Sequence, residues 1–216
     1  ANHDHMVLPG MVYLSHPTEY GTLYSRAELT EISALCRSYK IPLYLDGARL
    51  AYALFCPQND LTLADLAALC DVFYLGGTKC GALFGEAVVI PKAGTIPHFF
   101  TIIKQHGALL TKGWLLGLQF DTLFTDHLYE TIGMPAIQAA DRIRQLLTQT
   151  GDTLCFDSPT NQVFCIIENA VMEHLAEQVE FGFWEEYDDS HTIIRFATSR
   201  ATRMEDVEAL SHILSR

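Results

Sequence analysis

A single lysine at the end of an apolar run is the first place where this sequence could do chemistry. Val72-Phe-Tyr-Leu75 runs into Gly76-Gly77-Thr78-Lys79. An amine beside apolar walls loses part of its preference for the charged form and becomes a nucleophile toward a carbonyl carbon. Roughly one βαβ repeat upstream, a second apolar run, Pro42-Leu-Tyr-Leu45, ends in Asp46-Gly-Ala-Arg49. A carboxylate can hold a ring nitrogen protonated, and an arginine presents a planar fork to a carboxylate or phenolate oxygen. Lysine as Schiff base with aspartate as partner of a pyridinium nitrogen is the arrangement that pyridoxal phosphate (PLP) uses. Each residue also has a plainer reading. Lys79 fits a surface turn rich in glycine, Asp46 fits a helix N-cap after a strand, and Cys80 fits a small packing position.

Three further groups belong to the same discussion. Arg195 lies inside the apolar run Ile193-Ile-Arg-Phe-Ala197. A strand arginine needs an anion, supplied either by a ligand carboxylate or by a surface salt bridge. His16 and Glu19 stand in the polar turn His16-Pro-Thr-Glu-Tyr-Gly21, where a substrate-side role is open to both. The opening His3-Asp-His5 resembles a chelate, but no third ligand follows at useful spacing, so no metal is expected.

The elements that must position these groups are legible from period and punctuation. Met11–Ser15, Pro42–Leu45 and Val72–Leu75 read as strands, and Ala82–Ile90 as an antiparallel neighbour of the last. Ser25-Arg-Ala-Glu28 and Thr62-Leu-Ala-Asp65 are capping boxes that open helices ending near Lys40 and Cys70. Arg49–Phe55 reads as a short helix. Pro97–Leu128 carries a long helical pattern interrupted by Gly107, Gly113 and Gly117, with Trp114–Phe124 as core or dimer surface. A helix follows from about Pro135 to Thr150. Short strands are then expected at 153–156, 163–167, 181–184 and 193–197, with a helix near 170–178 and a last helix capped by Thr202. In open α/β sheets ligands sit beyond the carboxyl ends of strands, which sets Asp46, Arg49 and Lys79 along one rim. The boundary falls near 128–133. It divides residues 1–130, a βαβ-type sheet, from residues 131–216, a smaller α/β domain.

Composition narrows the class. The chain has 216 residues, 49% of them hydrophobic, and a formal charge of −12. That charge argues against nucleic acid and anionic membrane surfaces as partners. No apolar run approaches the ~18 residues of a membrane span, and no stretch reads as a signal peptide. Six scattered cysteines without a C-x-x-C pair read as reduced packing thiols of a cytoplasmic protein. The chain opens without methionine, and strand and helix alternate at once, as if a domain were entered midway.

Three segments in order, Tyr44-Leu-Asp-Gly-Ala-Arg-Leu50, Tyr74-Leu-Gly-Gly-Thr-Lys79 and Ile194-Arg-Phe-Ala-Thr-Ser-Arg-Ala-Thr202, resemble the L-threonine aldolase / β-eliminating aromatic amino acid lyase family. The resemblance implies an aspartate aminotransferase-like, PLP-dependent transferase fold: a mostly parallel, three-layer α/β sheet with a smaller C-terminal α/β domain. It implies a lyase that cleaves Cα–Cβ of a β-hydroxy-α-amino acid such as threonine, giving glycine and an aldehyde. A β-eliminating lyase, or a non-catalytic fragment that needs a partner chain, are the alternatives. By the same resemblance Lys79 carries the cofactor, Asp46 pairs with its ring nitrogen, and Thr78 lies near it. Arg49 contacts cofactor or substrate, and Arg195 binds the substrate carboxylate. Where many family members have Thr-His, this chain has Thr18-Glu19, so the general base is open between Glu19, a histidine and water. The family also implies a homodimer or homotetramer. Its N-terminal portion, with a Gly-Thr phosphate loop, is expected to be missing from these residues.

Overall fold

A computed structural model describes residues 5–214; the expected leading segment at His3 and Asp4 lies outside them. Three strands, β1 (Val12–Ser15), β2 (Leu43–Asp46) and β3 (Val72–Leu75), pair in parallel and in chain order. β4 (Ala87–Val89) closes the sheet antiparallel to β3. Alternation sorts the side chains between the faces. Leu43, Leu45, Phe73 and Leu75 are buried with Leu29 and Cys36 of α1 (Arg26–Tyr39), Leu50 of α2 (Leu50–Phe55) and Leu66 of α3 (Leu63–Leu69). Each such leucine contributes about 1.5–3 kcal/mol by leaving water. The opposite face carries Tyr13, Tyr44 and Tyr74, with Tyr13 and Tyr44 stacked at 5.3 Å.

Both expected capping boxes form. Ser25 and Thr62 accept the N–H groups of Glu28 and Asp65, whose carboxylates return to the cap N–H groups. α1 stops at Lys40 in the left-handed conformation, two residues before Pro42.

Two expectations change. Of the strand read over 82–90 only Ala87–Val89 pairs. Gly85 turns at φ +84°, and Gln119 takes over the backbone of Leu83 and Phe84 by accepting at 2.6 and 3.3 Å and donating to Phe84 O at 3.1 Å. The long pattern over 97–128 splits into α4 (Phe99–Gln105) and α5 (Trp114–Phe124), with Gly107 at φ +66° between them. Much of α5 stays open: Trp114 and Leu118 are exposed and only Leu123 is buried.

A four-residue helix, α6 (Leu128–Thr131), leads to α7 (Met134–Thr150). Gly133 lies so close to the Ala51 carbonyl that a Cβ would stand 2.7 Å from it. That approach seats Ala136 and Ile137 of α7 on Tyr52 and Cys56. Ala139, Ala140, Ile143, Leu146 and Leu147, further along α7, pack on a second core. That core belongs to an antiparallel sheet of β5 (Thr153–Leu154), β6 (Gln162–Glu168), β7 (Gly182–Glu186) and β8 (His191–Ala197), in the order β5-β6-β8-β7. α8 (Asn169–Ala176) and α9 (Met204–Leu214) cover it. Thr202 does not act as the expected box: its hydroxyl accepts from Ser199 N–H at 2.9 Å, and the helix begins after it. Among the described residues no helix is long and apolar enough to cross a membrane.

The β1–α1 loop ties the two sheets together. Gly21 adopts φ +77°, and its carbonyl accepts from Ser158 Oγ at 3.2 Å and Thr160 Oγ1 at 3.0 Å. His16, in the same loop, is 0% exposed. Its Nδ1 accepts from Tyr24 N–H at 3.4 Å. Burial lowers its pKa to about 4, against a smaller upward pull from Asp60. Between pH 6.5 and 4 the unfolded chain therefore binds the proton that the folded chain refuses. His16 stabilises fully above pH 6.5 and progressively less below it, by about 3 kcal/mol in all. Urea unfolding from pH 7 to 4 should show His16→Gln losing less stability than the unsubstituted chain. Parallel losses would mean that His16 does not titrate on unfolding.

Candidate active site

Two glycines let the strand ends after β2 and β3 lie against each other. Gly76 N–H donates to Gly47 O at 2.9 Å. A Cβ on Gly47 would strike the Tyr74 carbonyl, and one on Gly76 would strike the Ala48 carbonyl. Only glycine fits either place, so the Asp46 and Lys79 turns are locked as neighbours. The Lys79 turn is pinned from below. Tyr52 donates its hydroxyl to Lys79 O, Tyr129 donates to Gly76 O at 3.0 Å, and Cys80 Sγ donates to the same carbonyl at 3.1 Å. Cys80 is buried, and burial pushes its thiol up to about 12, which makes it the packing residue expected.

Glu86 braces the turn from the side. Its carboxylate accepts from Gly77 N–H and, at 2.8 Å, from Thr78 Oγ1. Thr78 is exposed, with its hydroxyl committed to Glu86.

Asp46 ends β2 half-buried. Its Oδ1 accepts from Ala48 N–H at 2.9 Å, and its Oδ2 from the Tyr13 hydroxyl. Burial alone would raise its pKa. Hydrogen bonds from Tyr13, Tyr74 and Ala48, with the charge of Lys79, outweigh that and hold the carboxyl below its ordinary value. The bond to Asp46 in turn pushes Tyr13 up to about 12. The N-cap of α2 is Arg49, which leaves Asp46 outside that role.

Lys79 stays accessible, yet its pKa is lowered, first by partial burial of the amine and then by Arg49. Glu19, Asp46 and Glu86 pull the other way. Arg49 pairs with Glu19 at 3.6 Å. The loops after β1, β2 and β3 thus bring Glu19, Asp46, Arg49 and Lys79 together at the carboxyl ends of three parallel strands.

Arg195 comes from the second sheet, on β8. Its guanidinium carbon lies 5.5 Å from the Trp184 ring, and its Nη1 donates to Gln162 Oε1 at 3.1 Å. Gln162 Nε2 donates to Glu19 O at 3.1 Å, which links Arg195 to the β1 loop. Among the described residues no carboxylate forms an ion pair with Arg195. Sequence reasoning missed Tyr13, Tyr74, Tyr52, Glu86 and Gln162. The tyrosines read as apolar pattern, and Gln162 falls just before the strand expected over 163–167. Only the exposure demanded of one face by alternation could have singled out Tyr13 and Tyr74.

Comparison with known proteins follows the same lines. Residues 1–153 match the beta-eliminating lyase family. A low-specificity L-threonine aldolase of Pseudomonas aeruginosa is 31% identical over 174 residues, covering 79% of this chain and 50% of that protein. The chain spans about half the length of the curated relatives it matches. A solved threonine aldolase of Leishmania major superposes with a TM-score of 0.95 at 42% identity, covering 100% of this chain and 63% of that one. A serine palmitoyltransferase of Sphingomonas wittichii, at 13% identity and a TM-score of 0.68, shares the fold over 94% of this chain and 53% of its own.

Proposed function

This chain belongs to the beta-eliminating lyase family, and from that premise we propose that its subunit is a PLP-dependent lyase of the threonine aldolase type. The fold is aspartate aminotransferase-like, with a mostly parallel sheet. The reaction proposed is Cα–Cβ cleavage of a β-hydroxy-α-amino acid to glycine and an aldehyde. The observation that carries it is the placement of Lys79 and Asp46 on adjoining strand ends, close enough that the charge of each acts on the other, with the pKa of the amine and that of the carboxyl both lowered. Relatives named threonine aldolases support the choice of reaction.

These residues suit PLP. Lys79 offers a nucleophilic amine to its aldehyde, and Asp46 offers an anion that keeps a proton on its ring nitrogen. When bound, PLP supplies an electron sink for the electrons left on Cα. Arg195 binds the substrate α-carboxylate, since its half-buried charge has only neutral partners among the described residues. Arg49 and Glu19 line the cofactor and substrate side, and Thr78 lies beside the cofactor through its place next to Lys79. The active species is proposed as a homo-oligomer of subunits completed by an N-terminal portion. The exposed apolar residues Phe100, Trp114 and Leu118 suit a subunit contact. We also propose the division into residues 1–130 and 131–216 as domain parts.

Product analysis of the full-length subunit with threonine tests the reaction. Glycine with acetaldehyde supports it, whereas ammonia with a keto acid would replace it by β-elimination. For the carboxylate site, Arg195→Lys is expected to raise KM about 10-fold or more, because a point charge replaces a two-pronged donor. The cofactor absorbance should not move. An unchanged KM would reduce Arg195 to a structural residue.

A further inference from the structure

We propose that Gln162 is the positioning residue for Arg195, holding the guanidinium by a neutral amide so that its charge stays free for a ligand carboxylate. The inference rests on the reading of Arg195 as the carboxylate site. Gln162 opens β6 and is 0% exposed. A buried amide must satisfy both its ends, and each end of this one is committed. Oε1 accepts from Arg195 Nη1 at 3.1 Å, and Nε2 donates to Glu19 O at 3.1 Å. Glu19 in turn pairs with Arg49 at 3.6 Å. One side chain therefore joins the second sheet to the loop that supplies the strand-end cluster.

The register explains how it reaches. Phe164 stands opposite Arg195 on β8, so Gln162, two residues earlier on β6, is its diagonal neighbour on one face. On the other flank Gly182 stands opposite Arg195, and an added Cβ there would already meet Nε at 3.4 Å. The absent side chain leaves a channel for the guanidinium. Trp184 covers it, its own ring set edge-on to Phe164 at 5.0 Å and Tyr20 at 5.6 Å. Arg195 is thus held by a carbonyl oxygen and an aromatic ring, neither of which cancels its charge. A glutamate at 162 would fit the same space, but it would neutralise Arg195 and could not donate to Glu19 O.

The test uses the full-length holoenzyme and two amines, glycine, which carries a carboxylate, and methylamine, which does not. Binding is read from the change in cofactor absorbance for wild type, Gln162→Glu, Gln162→Met and Arg195→Lys. Gln162→Glu should weaken glycine about 10-fold or more while methylamine and cofactor binding stay within about 2-fold. Gln162→Met, which removes both hydrogen bonds without adding charge, should weaken glycine selectively but less; it also serves if the glutamate variant fails to fold. Equal weakening of both amines would mean a merely structural role and overturn the inference. So would unchanged glycine binding in the Gln162 variants when Arg195→Lys weakens it. If Arg195→Lys also leaves glycine binding unchanged, the carboxylate assignment itself falls.

Discussion

On the proposed reading, Lys79→Ala in the full-length subunit should lower turnover by on the order of 10³-fold or more, since it would remove the proposed nucleophile. Folding should be nearly untouched. The side chain is exposed, and the contact that pins the turn uses the Lys79 carbonyl, which accepts from Tyr52 and survives any substitution. Added methylamine should restore part of the activity, because a free amine can replace the lost one. Borohydride reduction of the wild-type holoenzyme, followed by peptide mapping, should place the pyridoxyl group on Lys79. A label on Lys40, Lys92, Lys104 or Lys112 would remove Lys79 from the mechanism.

The second large effect is expected at Asp46. An amide in place of the carboxylate cannot keep a proton on the ring nitrogen. In the proposed site Asp46 is the anion beside that nitrogen, and losing it is expected to lower kcat by about two to four decades. Stability should change far less, because an amide oxygen still accepts from Ala48 N–H at the position of Oδ1. The carboxyl is held below its ordinary value, so acid should not impair activity through Asp46 until the pH falls beneath the usual carboxylate range. Near-normal turnover in Asp46→Asn would reduce Asp46 to a brace for Tyr13 and the Ala48 turn.

Local chemistry made much of this protein readable. Ser25 and Thr62 cap helices by reaching only three residues along the chain, so their boxes are written in the sequence and form as read. Leu43, Leu45, Phe73 and Leu75 lie in short apolar runs that read as strands and form as strands, while the face that each run buries is set by the fold. Two strands of that kind, one helical crossover apart, must deliver Asp46 and Lys79 to the same rim if they pair in parallel, as they do. Where the chain had a choice of partners, reading it locally went astray. Leu83 and Phe84 have the pattern of a strand, but the Gln119 amide, more than thirty positions away, satisfies their backbone instead. His16 looks like a loop histidine until Tyr24 and the folded loop bury it.

The state of the site was decided by tertiary structure. Lys79 and Asp46 are visible by residue type, but their charges depend on Tyr13, Tyr74, Arg49, Glu19 and Glu86, which arrive from other elements. Arg195 is visible as an arginine in an apolar strand, and the sequence demanded an anion for it. The fold supplies Gln162 and Trp184 and leaves the charge unpaired among the described residues. Type and spacing are properties of the chain, so they determined most of the local elements and the residues proposed to react. Proton affinity and orientation arise from desolvation and from hydrogen bonds across large sequence separations, and these exist only once the two sheets have closed on the loop that joins them.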